Sequence, residues 1–597
     1  MRRSLQWMTV SVCVILMTGF LRVSAQQPRA VKGRLFLQSP ATTTIEPLSA
    51  IQSLRSHVPY RTYNGTNNNI SGLLKRNWGA AGNQLFREMP AQYGSVDPKN
   101  AMAGANRPTP RRISNVVIDE PVTTFNGRGL SAFVYVWGQF IDHDMSKTPT
   151  DTIEYMPIAL PKDETVFTEP IPFYRSKIAS GTGVLNQRQQ MNMNTAWIDG
   201  SMVYGGDNTR ATWLRTFKNG KMKMSKGNLL PFNTVTAEMD GAIDPKAPSM
   251  DNDNGHTVKT FVAGDTRASE HPGIASLHTL FIREHNRVCD SLLKLGFTND
   301  EQIYQLARKQ VGALIEAITY QEFLPAMGVT LHPYRGYNDN ARPDIANTFA
   351  TAGYRVGHTM VADDILVLSN DCEELRPELD LIEAFWNPAL VVQYGVEPFL
   401  KGFAAHTQYE TDTRINTVLR DFLFTSPNDS TRFGIDLGSL NIQRGRDHGL
   451  PDYNTVRKFY TGRQAFTFRD ITSNDTLARE LRSLYGNVNN IDLWIGILAE
   501  DHLPGASVGR TMHEILRWQF EKLRDGDYYF YLNDPFLPSK ARTQIIATHF
   551  VDVIRRNTTL TNLQPNVFFT QECADDSAAA TTAKGTAPRE LQVSGLK

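Results

Sequence analysis

The chain has 597 residues, with 62 basic and 61 acidic side chains and a formal net charge of +1. That length exceeds one small domain and suffices for one large helical core or several ordinary ones. Near-neutral charge gives no field to recruit nucleic acid, and the densest basic run, Arg107 to Arg112, is broken by prolines and reads as an extended surface arm.

At the N-terminus, Arg2 and Arg3 precede an apolar run from Trp7 to Leu21, and Val23-Ser24-Ala25 supplies small residues for cleavage. The run is short for a membrane span, so residues 1–25 read as a secretory signal peptide, with an uncleaved anchor as the alternative. No later stretch is long and apolar enough to span a bilayer. Residues 26–55 form an N-terminal arm or propeptide, and 574–597 a tail too poor in apolar residues to pack. Of four cysteines, Cys13 leaves with the leader. Cys289, Cys372 and Cys573 then allow at most one intrachain disulfide and leave at least one free or intermolecular thiol. Secretion predicts glycans, for which acceptor sequons stand at Asn64, Asn69, Asn428, Asn474 and Asn557.

Between these ends the periodicity is mainly helical, with long connections. Leu130, Phe133, Val134, Trp137, Phe140 and Ile141 recur at three-and-four spacing, as do Leu277, Leu280, Phe281, Val288, Leu292 and Leu293, and then Leu477, Leu481, Leu484 and Tyr485. The first of these helices carries Gln139, Asp142 and His143 on one stripe, where polar groups need partners or a ligand. A satisfied core network is the simpler explanation of that stripe alone. In Thr195-Ala-Trp-Ile-Asp-Gly-Ser201, alternate residues supply oxygens, a pattern that fits a hard cation or a half-buried strand. Ala263 to Glu270 places Arg267 and Glu270 near a helix start, where capping alone would account for them. In Tyr354-Arg-Val-Gly-His358, the glycine before the histidine lets a flat ligand approach the backbone. Leu440 to Pro451 is dense in polar groups within an apolar frame.

Together, and in this order, these motifs resemble the animal haem peroxidase superfamily over about Tyr60 to Cys573, with further matches at Arg283 to Arg287, Tyr337 to Asp339 and Leu523 to Asp527. The resemblance implies a mainly α, single-domain fold over 56–573, with haem b between central helices. It implies a secreted enzyme that uses hydrogen peroxide to oxidise small donors: halides, thiocyanate, phenols or tyrosines. His143 would be the distal histidine, Arg267 the distal arginine, Gln139 the distal glutamine and His358 the iron ligand, with Asn441 orienting its ring. Asp142 and Glu270 match the carboxylates that form esters to haem, and Arg355 and Arg444 suit its propionates. Asp144, Thr195, Trp197 (through its carbonyl), Asp199 and Ser201 match a calcium loop.

Several positions depart from the family pattern. His271 replaces a methionine that bonds haem through sulfur in myeloperoxidase, which implies a less oxidising centre and poor oxidation of chloride. Asn67 and Arg555 stand where cysteines are expected, the latter leaving Cys573 without its usual partner, and Ser146 replaces an acidic residue. A fatty-acid dioxygenase on the related scaffold is one alternative. That class carries a tyrosine three residues before the proximal histidine, where this chain has Arg355, and Tyr354 would point elsewhere. A non-catalytic extracellular adhesion or matrix protein is the other.

Overall fold

A computed structural model describes residues 60–71, 73–94, 102–120, 122–423, 434–571 and 573. The expected leader, N-terminal arm, C-terminal tail and Asn428 sequon lie outside the described residues.

Helix α1 (Phe133–Met145) buries Phe133, Val134, Trp137, Phe140 and Ile141, the stripe its spacing predicts, and ends where Ser146 turns extended. Helix α2 (Pro272–Lys294) opens with proline at its first position, and His271 caps it by accepting a hydrogen bond from the Gly273 N–H. Phe281 of α2 stacks on Phe140 of α1 at 5.3 Å between ring centroids and meets Trp137 at 5.8 Å. Helix α3 (Asp300–Ile318) is capped by Asn299 and carries Asp300 and Glu301 in its first turn, where negative charge suits the helix dipole. It packs against α2. Helix α4 (Leu437–Asp447) is capped by Asp436, and α5 (Asp475–Tyr485) buries Leu481 and Tyr485. His358 lies on a short 3₁₀ helix, Gly353–Thr359.

Strands are few, as the sequence suggests. β1 (Thr150–Tyr155) pairs antiparallel with β2 (Tyr174–Ser176), and β3 (Asp364–Leu368) with β4 (Glu374–Asp380). No helix among the described residues is long and apolar enough to cross a membrane.

One sequence expectation is corrected here. Cys573 is not left unpaired: it forms a disulfide with Cys372, in the turn between β3 and β4, and Cys289 is the free, buried thiol. Arg555, at the expected cysteine position, instead donates to the Leu563 carbonyl at 2.6 Å. Two sequons are also poor acceptors. Asn69 is buried with its amide donating to the Asp339 carbonyl, and the Asn557 amide donates to Glu284 and the Val553 carbonyl. Asn64 and Asn474 are exposed.

One buried ionic knot joins distant parts of the chain. Arg61 donates to Glu316 at 2.7 Å and to both carboxylate oxygens of Asp527, at 2.9 and 2.8 Å. Burial pushes the Glu316 carboxyl well above its ordinary range despite the arginine. Removing one partner of such a cluster leaves buried charge uncompensated, so Arg61→Ala should lower unfolding free energy by about 3–5 kcal/mol. Denaturant melts of both proteins check this, with a further Glu316→Gln change expected to restore part of the loss.

Candidate functional site

The turn after α1, the loop before α2 and the 3₁₀ helix at Gly353–Thr359 enclose a cavity of about 720 Å³. Gln139, Asp142, His143, Arg267, Glu270, Arg355, His358 and Arg444 all line it, so motifs separated by up to 305 positions converge on one space. Asn441 reaches the site through a neighbour: its Nδ2 lies 2.8 Å from His358 Nδ1, and its Oδ1 accepts from Arg355 Nη1 at 2.9 Å.

Arg267 is held from three sides. Asp265 accepts from its Nε and Nη2, each at 2.9 Å, and also from its backbone N–H. Nη1 donates to Asp142 at 3.2 Å, and Nη2 to the Ser146 carbonyl at 2.9 Å. Burial opposes charge on both partners, yet Arg267 holds the Asp265 carboxyl well below the usual range. Asp265 in turn raises Arg267.

His143 is 2% exposed, and its Nδ1 lies 3.6 Å from Asp265 without a hydrogen-bond partner. Burial, followed by the nearby Arg267 charge, holds its pKa well below the ordinary value, so the ring is neutral. His358 is also neutral: burial and then Arg355 push it down to about 3. The cavity's carboxyls move the other way. Burial lifts Glu270 to about 7 and raises Asp142 in spite of Arg267. Arg444 donates to Ser176 at 2.8 Å and lies 4.3 Å over the Phe173 ring.

Behind α1, Asp144 and Asp199 form a buried oxygen-rich cluster. Asp144 accepts from the Gly200 and Met202 N–H groups and from the Ser201 hydroxyl at 2.8 Å. Asp199 accepts from the Thr195 hydroxyl at 3.1 Å and the Ser201 N–H. Burial and then the facing Asp199 charge push Asp144 up to about 8. Trp197 is tied by its ring, the indole N–H donating to the Gly65 carbonyl at 3.0 Å. Among the described residues, no group of three or more His, Cys, Asp or Glu is placed to hold a metal; this cluster has two carboxylates, its other side-chain donors being hydroxyls.

Two residues without an expected role belong to the site. Asp265 organises both His143 and Arg267, and its position two residues before Arg267, able to bond that residue's N–H, was the readable signal. His278, on α2, is fully buried and stacks 6.3 Å from His143; nothing in an amphipathic repeat distinguishes it from a core residue. Tyr354 is a correction: it lines the cavity, stacked on Phe349 at 4.8 Å with its hydroxyl buried and without a partner.

Residues 60–568 match the family model for animal haem peroxidase, and the chain belongs to the animal haem peroxidase family. It is 32% identical to mouse myeloperoxidase, covering 87% of this chain and 78% of that one. It is 34% identical to mouse thyroid peroxidase, over 85% of this chain but 60% of the relative. Among solved structures, peroxidase A from Dictyostelium discoideum superposes with a TM-score of 0.76 at 29% identity, covering 86% of this chain and all of that one. A fatty acid alpha-dioxygenase from Oryza sativa superposes at 0.70 with 19% identity, covering 85% and 87%, and shares the fold.

Because its folded pKa is depressed, Asp265 contributes stability that is present above the unfolded value of about 3.9 and is lost as pH falls toward the folded one. The stability gap between the native chain and Asp265→Asn should therefore be constant above about pH 5 and shrink below about pH 4. Paired urea melts at pH 3 to 7 measure it, and a gap independent of pH would refute the clamp.

Proposed function

We propose that this protein is a secreted haem-dependent peroxidase that reduces hydrogen peroxide and oxidises thiocyanate, iodide, bromide, phenols or tyrosines, and chloride poorly. The observation that carries this reading is one cavity lined by two neutral imidazoles on separate elements and by an arginine locked in place. The signal-peptide pattern read in residues 1–25 supports secretion.

The residues fit haem b. A Cβ built on Gly357, just before His358, would meet nothing within 4 Å, so open space adjoins that backbone. Bound there, haem b supplies an iron that binds peroxide and the oxidising equivalents passed to the donor. His358 would hold it through Nε2, since Nδ1 is engaged by Asn441. Ligation at Nε2 puts the ring proton on Nδ1. The Asn441 carboxamide would then have to turn its oxygen to that proton, which would free Arg355 to take a propionate. Arg444 would take the other propionate. Asp142 and Glu270, costly as buried carboxylates, would lose their charge as esters.

His143 supplies the proton chemistry. The Asp265 carboxylate beside Nδ1 favours the proton on that nitrogen, leaving Nε2 to accept one from peroxide and return it to the departing oxygen. Arg267 stays charged and stabilises negative charge as the O–O bond breaks. The poor chloride turnover follows from His271, which cannot form a sulfur link to haem and, pushed down to about 4 by burial, adds no charge near neutrality.

The oxygen cluster fits calcium through Asp144, Asp199, Thr195, Ser201 and the Trp197 carbonyl, because two facing carboxylates need a cation and the remaining donors are hard oxygens. One observation favours the dioxygenase reading, namely Tyr354 in the cavity. Against it, Arg355 occupies the position three residues before His358.

His143→Ala should retain bound haem but slow peroxide-dependent guaiacol oxidation by about a hundred- to ten-thousand-fold. Stopped-flow absorbance after mixing with peroxide measures the affected step, and unchanged rates would remove His143 from its role. The cofactor set is checked on one dialysed preparation. It should contain about one calcium per chain, and acid acetone should leave most haem attached to the protein.

A further inference from the structure

His271 does more than cap α2. Its Nδ1 accepts from the Gly273 N–H at 3.2 Å, which leaves the ring proton on Nε2. That Nε2 lies 2.8 Å from Oε1 of Gln139, and Gln139 Nε2 donates to Glu270 at 2.9 Å. The chain Gly273–His271–Gln139–Glu270 therefore has one polarity. Reversing the Gln139 carboxamide would set N–H against N–H at His271 and oxygen against carboxylate at Glu270. In the observed orientation one N–H of the Gln139 amide has no acceptor among the described residues, and Gln139 lines the cavity.

Glu270 alone is an unreliable anchor for this amide. Its carboxyl is easily neutralised, by a proton or as an ester, and a neutral carboxyl accepts less strongly. His271 has no such weakness, because its tautomer is set by a backbone donor at the helix start, where free N–H groups are fixed by the fold.

We propose that His271 is a positioning residue that sets the preference for anionic donors, by locking the Gln139 carboxamide with its NH₂ available to an anion in the cavity. The proposal rests on the peroxidase reading. It makes this histidine an active part of donor selection, beyond being a position where a sulfur link is missing.

Two variants separate capping from positioning. His271→Asn retains one of the best capping side chains but is too short to reach Gln139 from the same backbone. His271→Gln weakens the cap but restores an N–H donor. Equilibrium binding of thiocyanate and bromide to the resting haem protein is read from the Soret band, alongside KM, kcat and Tm. For Asn, the anion Kd should rise about three- to tenfold, as expected for one lost hydrogen bond. Anion KM should rise in parallel with little change in kcat, and guaiacol KM should move less. Gln should return anion binding close to the native value. Unchanged anion binding in Asn overturns the proposal, as does equal weakening in both variants. A protein that binds haem and anions but oxidises no donor with peroxide would instead sink the peroxidase reading, since the Kd series still tests His271 by itself.

Discussion

A guanidinium carried into a protein interior must be neutralised where it sits, and Arg267 meets that condition through Asp265. The consequences spread outward. With Asp265 committed to Arg267, its carboxylate stays ionised and stands 3.6 Å from Nδ1 of His143, favouring the ring proton on that side. The guanidinium also reaches Asp142 and the Ser146 carbonyl, closing the end of α1 against the loop before α2. Gly264 allows this closure: a Cβ there would lie 2.3 Å from the Ser201 carbonyl and 2.5 Å from the Gly205 nitrogen. The loop that delivers Arg267 thus runs directly against the turn that carries the oxygen cluster.

Three consecutive side chains at the end of α1 serve three surroundings, because each residue turns the helix by roughly 100°. Asp142 faces the cavity and meets Arg267; His143 lies between the cavity and Asp265; Asp144 points back to Gly200, Ser201 and Met202. A cation between Asp144 and Asp199 would fix the backbone next to His143, for which proton transfer is proposed, without touching the cavity. Asn194 reinforces the same place, its amide donating to the His143 carbonyl at 2.6 Å.

The sequence made the helices legible because their buried stripes are long and regular: α1 and α2 follow their predicted spacing almost residue for residue. The convergence of the expected site residues on one cavity was legible through motifs whose order matches the family, and periodicity alone would have left each motif with an ordinary structural explanation. What stayed hidden depends on contacts between distant segments. Asp265 and His278 gain meaning only when α1 packs on α2, and the pairing of Cys372 with Cys573 depends on where the β3–β4 turn meets the C-terminal region. Tyr354 was misjudged because positions both three and four residues before a helical histidine can share its face, and the cavity takes both Tyr354 and Arg355.

The Cys372–Cys573 bond joins residues 201 positions apart, and the closed segment contains Asn441 and Arg444 while His143, Arg267 and His358 lie outside it. A protease nick anywhere from Cys372 to Cys573 would leave two fragments still covalently joined. A nick between Ser146 and Thr266 would instead part His143 from Arg267 and His358 with no disulfide of the described residues across the cut, leaving packing and, under the proposed esters, a haem bridging Asp142 and Glu270 to hold the fragments. The chain thus divides into a stretch where a disulfide tethers the two fragments after backbone cleavage and one where a covalent tether would have to come from the haem itself.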